Sequence, residues 1–179
     1  TVLIHAGAGG IGLTAIQYAQ KLNCTIIATC SDGKRDTLKK KGIRYITSSR
    51  DSEIFKKDME SFGLEVDIVL NALSDDFIPY SADFLKSGGH FCEVGKKKIW
   101  TKEQFAEKYP SVHYYPVAID DYWREDRPRF DRLFKNTMAY GQVPIDRMEY
   151  DIKDIKSALE VLRDAKNIGK VVVDCTNIP

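Results

Sequence analysis

Near the start of the chain, Gly7, Ala8, Gly9, Gly10, Ile11 and Gly12 spell GAGGIG. Gly7, Gly9 and Gly12 satisfy the spacing GxGxxG, with an apolar strand-like run before it and a helix-like stretch after it. That setting gives an otherwise weak motif its meaning. Glycine at the first position permits a tight turn. At the second it lets main chain approach a diphosphate, and at the third it lets a helix pack on a strand. The first helical turn then offers unpaired N–H groups and a partial positive charge. Such a loop holds the diphosphate of a dinucleotide; the alternative is a glycine-rich turn without a ligand.

A second cluster bears on which dinucleotide. An NAD site places a carboxylate about 20 positions on, at the end of the second strand. Counting from Gly12 reaches Asp32, which keeps NAD open. The strand TIIAT ends at Thr29–Cys30, however, so Cys30 stands where the acid is expected. Beyond it lie Ser31, Lys34 and Arg35, whose charge-assisted bonds suit a 2′-phosphate. Two cations at a helix start are unfavourable without an anion. The pattern therefore favours NADP, with a solvated helix start as the plain alternative for Lys34 and Arg35.

These residues need a frame. Strand-like runs occur at 2–6, 25–29, 44–47, 66–73, 89–95, 112–119 and 170–175. Helical spacing places Ile11, Ala15, Ile16, Ala19 and Leu22 on one stripe, and Ile54, Phe55, Met59 and Phe62 on another. A basic helix is expected over 33–41, and one over 76–86 that exits at Gly88-Gly89. Strands alternating with helices imply right-handed crossovers and a parallel sheet. The fold class is α/β, a doubly wound, Rossmann-type parallel sheet. After residue 96 the pattern changes. A charged, aromatic surface connector is expected over 96–112. A helix over 127–140 should turn Phe130, Leu133, Phe134 and Met138 inward. Asp151 should cap a helix carrying Ile152, Ile155, Leu159 and Leu162 on one face. The last strand is expected outside the main sheet. The division is a coenzyme-binding domain over 1–140 and a C-terminal segment over 141–179.

Bulk composition excludes several classes. The 179 residues carry a net charge of +1, 43% hydrophobic and 30% charged residues. No general field draws such a chain to nucleic acid or anionic lipid. No apolar run approaches the roughly 20 residues of a membrane span, and no secretion signal is visible. Cys24, Cys30, Cys92 and Cys175 form no CxxC and have no histidine at metal spacing. Three lie within apolar strand-like runs and read as reduced core residues with no metal, in keeping with a cytoplasmic location. His5 reads as a core or near-coenzyme residue, and Tyr109, Tyr114 and Tyr115 as packing. Trp100 and Trp123 read as covering a domain or dimer surface.

The segments VLIHAGAGGIG, GKRD (33–36), SSRD (48–51), DIVLNAL, GGHFCEVGK and IGKVVV stand in the order and spacing of a known family. The chain resembles the enoyl reductase domains of polyketide synthases and animal-type fatty acid synthases, zinc-free medium-chain reductases related to quinone oxidoreductases. The resemblance covers nearly the whole chain and is weakest over 97–150. It implies NADPH-dependent reduction of a trans-2-enoyl thioester on acyl carrier protein, within a multifunctional synthase. It implies that Ser31, Lys34 and Arg35 hold the 2′-phosphate, and that Ser49 and Arg50 lie near the adenosine. It places Asn71, Ala72 and Leu73 beside the coenzyme and Gly95 near the nicotinamide. Lys96 and Asp120 match the family's proton-donor positions; an ammonium can stabilise and protonate an enolate. The family also places a substrate lobe ahead of this one, so the chain is expected to bind NADPH and turn over poorly alone. Pairing of two copies through the sheet edge stays open, as does docking of an acidic carrier helix on Lys97 and Lys98. The rival readings are a free-standing quinone or enone reductase and a non-catalytic scaffold.

Overall fold

The computed structural model describes residues 1–139, 141 and 144–176. Six strands make one sheet: β1 (Val2–Ile4), β2 (Ile26–Cys30), β3 (Tyr45–Ser48), β4 (Val66–Asn71), β5 (Leu85–Glu93) and β6 (His113–Pro116). All neighbours run parallel, in the order β3-β2-β1-β4-β5-β6. The order reverses between β1 and β4. A crevice therefore opens at the carboxyl ends of these two strands, where open α/β sheets bind ligands.

Helices cover both faces because successive strand residues point to opposite sides. Leu3, Ile27, Val69 and Phe91 face a core shared with Phe55 and Met59 of α3 (Ser52–Phe62) and with Phe77 and Ile78 of α4 (Phe77–Asp83). Ile4, Ala28 and Ile46 face the other core, with Leu13 and Ile16 of α1 (Gly10–Lys21) and Leu38 of α2 (Arg35–Lys40). β2 is buried along its whole length, as the unbroken run IIATC requires. Asp51 caps α3 by accepting from the N–H groups of Glu53 and Ile54, and Gly63, with φ +61°, ends it.

Several expected boundaries shift. β1 stops at Ile4 and β4 at Asn71, short of 6 and 73. α4 ends at Asp83, because Leu85 already pairs with Val66; Gly88 and Gly89 lie inside β5, where the register slips. The stripe of α1 that faces the sheet is Gly12, Leu13, Ile16 and Ala19, while Ile11 and Leu22 are exposed. The connector is not all surface: α5 (Lys102–Lys108) starts with a Thr101–Gln104 capping box and buries Phe105 against Phe91 and Tyr114. Trp100 and Tyr109 join this cluster, whereas Trp123 of α6 (Ile119–Glu125) is exposed, with Arg127 stacked 3.6 Å from its ring.

α7 (Arg127–Ala139) corrects a second expectation. Its Leu133, Phe134 and Met138 are exposed, the last by 63%, because the helix packs on α6 through Trp123 and Phe130 rather than on the sheet. The boundary at 140, and Gln142 and Val143 of the GQVPI break, lie outside the described residues. Beyond them β7 (Arg147–Asp151) and β8 (Lys170–Asp174) form a separate two-stranded parallel sheet. The last strand is thus outside the main sheet, as expected; β7 was unforeseen because RMEYD carries three charges. Asp151 accepts from the Lys153 N–H at the turn that leads into α8 (Ile155–Arg163). Only Ala158 of α8 is buried, and Ile155, Leu159 and Leu162 are exposed.

Candidate functional site

The turn after β1 is built by main chain. Gly7 N–H donates to Thr29 O (2.8 Å), Gly9 N–H to Ala6 O (2.9 Å) and Ala6 N–H to Thr29 Oγ1 (3.1 Å). The left-handed residue is Ala6 (φ 49°), not Gly7, so Gly7 serves another need: a side chain there would press on Ala28. Gly12 is the tightest. A Cβ on it would lie 2.5 Å from Ala6 O and 2.6 Å from Gly7 Cα, both main-chain atoms that cannot step aside. Gly12→Ala is therefore expected to push α1 off the turn and cost about 1–3 kcal/mol, read as a lower urea midpoint. Gly10→Ala meets only the far end of the flexible Lys170 side chain and should leave that midpoint nearly unchanged. Gly9 caps α1 without a side-chain bond, leaving the first-turn N–H groups for a ligand.

Three cavities adjoin along the crevice. One, of about 230 Å³, is lined by Ala8, Ser31, Lys34, Ser49, Arg50 and Asn167 among others, and by no carboxylate. A second, of about 380 Å³, follows the glycine turn past Gly10, Ile11 and Gly12 to His5, Ala72 and Val94. The third, of about 580 Å³, is lined by Arg50, Ala72, Leu73, Gly95 and Lys96. Lys34 and Arg50 converge closely. Burial lowers the Lys34 ammonium pKa and the Arg50 charge lowers it further. Two cations thus face one space without a carboxylate, a setting in which an anion could form charge-assisted bonds. Lys34 Nζ meanwhile donates to Ala165 O and Asn167 O, at 2.7 Å each.

Arg35 is not part of that cavity. Its Nε donates to Asp32 (3.0 Å) and its Nη1 to Ile46 O (3.0 Å), so it ties α2 to β3. Asp32, the carboxylate that kept NAD open, is engaged by Arg35. Asn71 is at the end of β4 as expected, but its side chain is wholly buried and turned into the fold. His5 is buried and hydrogen-bonded, and burial lowers its pKa to about 4. Lys96 and Asp120 come together: Lys96 Nζ donates to both Asp120 oxygens at 3.0 Å, and Arg124 lies 3.6 Å from the carboxylate. The Lys96 bond, first among several, holds the Asp120 carboxyl below its ordinary range. Lys98 pairs with Asp75, and Lys97 lines the third cavity.

Three residues escaped the sequence reading. Asn167 and Lys170 reach the glycine turn because Gly169 N–H donates to Ala8 O, 161 positions away in sequence. Nothing local in NIGK signals that contact. Glu93, a lone acid inside the apolar run HFCEV, carried a signal: a charge in a buried strand needs partners.

The chain matches the family described as zinc-binding dehydrogenase over residues 10–130. It is 33% identical to polyketide synthase GfsB of Streptomyces halstedii, over 96% of this chain and 3% of that protein. Among solved structures it resembles the CurF ER cyclopropanase of the curacin A pathway, with 32% identity and a TM-score of 0.88, over 96% of this chain and 53% of that one. The nucleotide-binding subdomain of the PpsC enoylreductase domain from Mycobacterium tuberculosis gives 30% identity and a TM-score of 0.67, over 78% of this chain and 80% of that one. Mycobacterial Rv1454c, solved with NADPH, gives 26% identity and a TM-score of 0.70, over 96% and 56%. The chain spans about half the length of several of these solved structures and 3% to 11% of the curated synthases it matches. With motif, sheet order and crevice in agreement, the chain belongs to the zinc-binding dehydrogenase family, in the medium-chain dehydrogenase/reductase superfamily, and corresponds to the nucleotide-binding subdomain of a polyketide synthase-type enoyl reductase domain.

Proposed function

We propose that this chain binds NADPH and forms the coenzyme wall of an enoyl reductase acting on a trans-2-enoyl thioester carried by acyl carrier protein. The observation that carries the coenzyme choice is the cavity where Lys34, Arg50, Ser31 and Ser49 converge without a carboxylate. It fits a 2′-phosphate, as the uncapped first turn of α1 fits a diphosphate. Ala72, Val94 and Gly95, at the other end of the crevice, would hold the nicotinamide half.

A coenzyme held here would supply hydride chemistry toward the β-carbon of the acceptor. The proton for the α-carbon comes from the Lys96 ammonium. Asp120 orients it through two hydrogen bonds and, being ionised, serves as acceptor rather than acid. The apolar residues exposed on α7 and α8 support a division near 140, with 141–179 packing toward a substrate lobe.

Fluorescence titration of the chain with NADPH and NADH tests the coenzyme reading. NADPH is expected to bind at least about tenfold more tightly, one charge-assisted contact's worth; equal affinities sink it. In the full multidomain protein, an enoyl thioester rather than a simple quinone should drive NADPH consumption. The reverse preference would favour the quinone reductase reading.

A further inference from the structure

Four buried polar side chains form a chain beneath the crevice: His5 just after β1, Asn71 ending β4, Ser81 in α4 and Glu93 ending β5. Their exposures are 2%, 0%, 0% and 1%. His5 Nδ1 lies 2.5 Å from Asn71 Oδ1, and His5 Nε2 lies 3.1 Å from Ser81 Oγ. Asn71 Nδ2 donates to Glu93 Oε2 (2.6 Å) and to Leu73 O (2.8 Å), while Asn71 Oδ1 also accepts from Leu73 N–H (3.2 Å). Glu93 Oε1 accepts from Gly95 N–H at 2.7 Å.

These contacts settle the protons. Both Asn71 amide hydrogens are spent, so its oxygen accepts from His5, and Nδ1 of His5 carries the proton. Ser81 then donates to Nε2. Both Glu93 oxygens accept. A buried carboxylate is costly unless it is fully bonded. This one directs its bonds at two main-chain segments, Leu73 through Asn71 and Gly95 directly. Both segments line the coenzyme crevice. Gly95 is held so closely that a Cβ there would lie 2.7 Å from Glu93 Oε1.

We propose that Glu93, acting directly and through Asn71, is the positioning residue that fixes the Leu73 and Gly95 main chain against which the nicotinamide half of the coenzyme lies. The inference rests on the coenzyme reading above. It assigns Glu93 no contact with the reacting atoms. Neither Glu93 nor Asn71 lines the phosphate cavity of Lys34 and Arg50.

The test compares NADPH with 2′,5′-ADP, which carries the adenosine-end phosphates and no nicotinamide, on the whole chain. Glu93→Gln sets an amide against the Asn71 amide, and Asn71→Asp sets a carboxylate against Glu93. Each should weaken NADPH about tenfold, the loss of a main-chain hydrogen bond or two, and leave 2′,5′-ADP within about twofold. The double exchange Asn71→Asp with Glu93→Gln restores a donor facing an acceptor and should recover most of the NADPH affinity. Gly95→Ala crowds the same segment while keeping all four polar side chains, so it reads the effect even if the single variants do not fold. Wild-type NADPH affinity in the variants, a parallel loss of 2′,5′-ADP, or a double variant no better than the singles overturns the proposal. Failure of the wild-type chain to bind either ligand removes the coenzyme reading itself, and this inference with it.

Discussion

Replacing Lys34 and Arg50 together with alanine is expected to weaken NADPH binding by about 100-fold and leave NADH within about twofold. Each cation in the carboxylate-free cavity offers a charge-assisted bond of about 1.5–3 kcal/mol, and a combined loss near 3 kcal/mol is about two decades of affinity. NADH shares the diphosphate and the groove but lacks the 2′-phosphate, so it controls for general damage. That control matters because Lys34 also bonds the carbonyls of Ala165 and Asn167. If the loss came from releasing that segment, both coenzymes would weaken together. Arg35→Ala gives the contrasting result. Its guanidinium serves Asp32 and Ile46, so the preference for NADPH should persist while the urea midpoint falls. Parallel loss of NADPH and NADH in the Lys34 and Arg50 variant would refute the phosphate assignment.

Between pH 6.5 and 4 the chain should lose about 3 kcal/mol of stability through His5 alone. Its folded pKa is lowered from 6.5 to about 4, chiefly by burial, and a shift of that size corresponds to about 3 kcal/mol. Above pH 6.5 the imidazole is neutral in both states and its contribution is complete. As the pH falls below 6.5 the unfolded chain takes up the proton first, so folding weakens until the folded form also titrates near 4. Glu93 is the ionisable group joined to His5 through Asn71, and burial raises its pKa. A raised carboxyl pKa acts in the opposite sense, weakening folding as pH rises above its ordinary value. Urea midpoints of the wild type and His5→Asn, measured from pH 7 to 4.5, isolate the histidine. The wild-type advantage should shrink steadily across that range; a constant difference would show that His5 is not held neutral.

The crevice was legible because its parts are local. GAGGIG joins a strand to a helix within one turn, and Ser31, Lys34 and Cys30 lie within five positions of one another. Such spacings act through the chain's own geometry. Arg35 shows the limit of that reading. One residue from Lys34, it points to a different neighbour because α2 turns its side chain toward Ile46 of β3. Arg50 and Lys34 are 16 positions apart and meet because β2 and β3 are adjacent in the sheet.

From residue types and periodicity came the alternation of elements, the parallel sheet, the glycine turn and the expectation of a phosphate over a ribose hydroxyl. Each depends on contacts a few residues apart, where covalent geometry limits the choices. Tertiary structure alone decided which cation enters the cavity and that Gly169 docks on Ala8. It also decided that Asn71 turns inward to join His5 to Glu93, and that the apolar side of α7 is left uncovered. Those outcomes turn on pairings between distant segments, and a hydrogen bond across 66 positions leaves no trace in the spacing of either partner's neighbours.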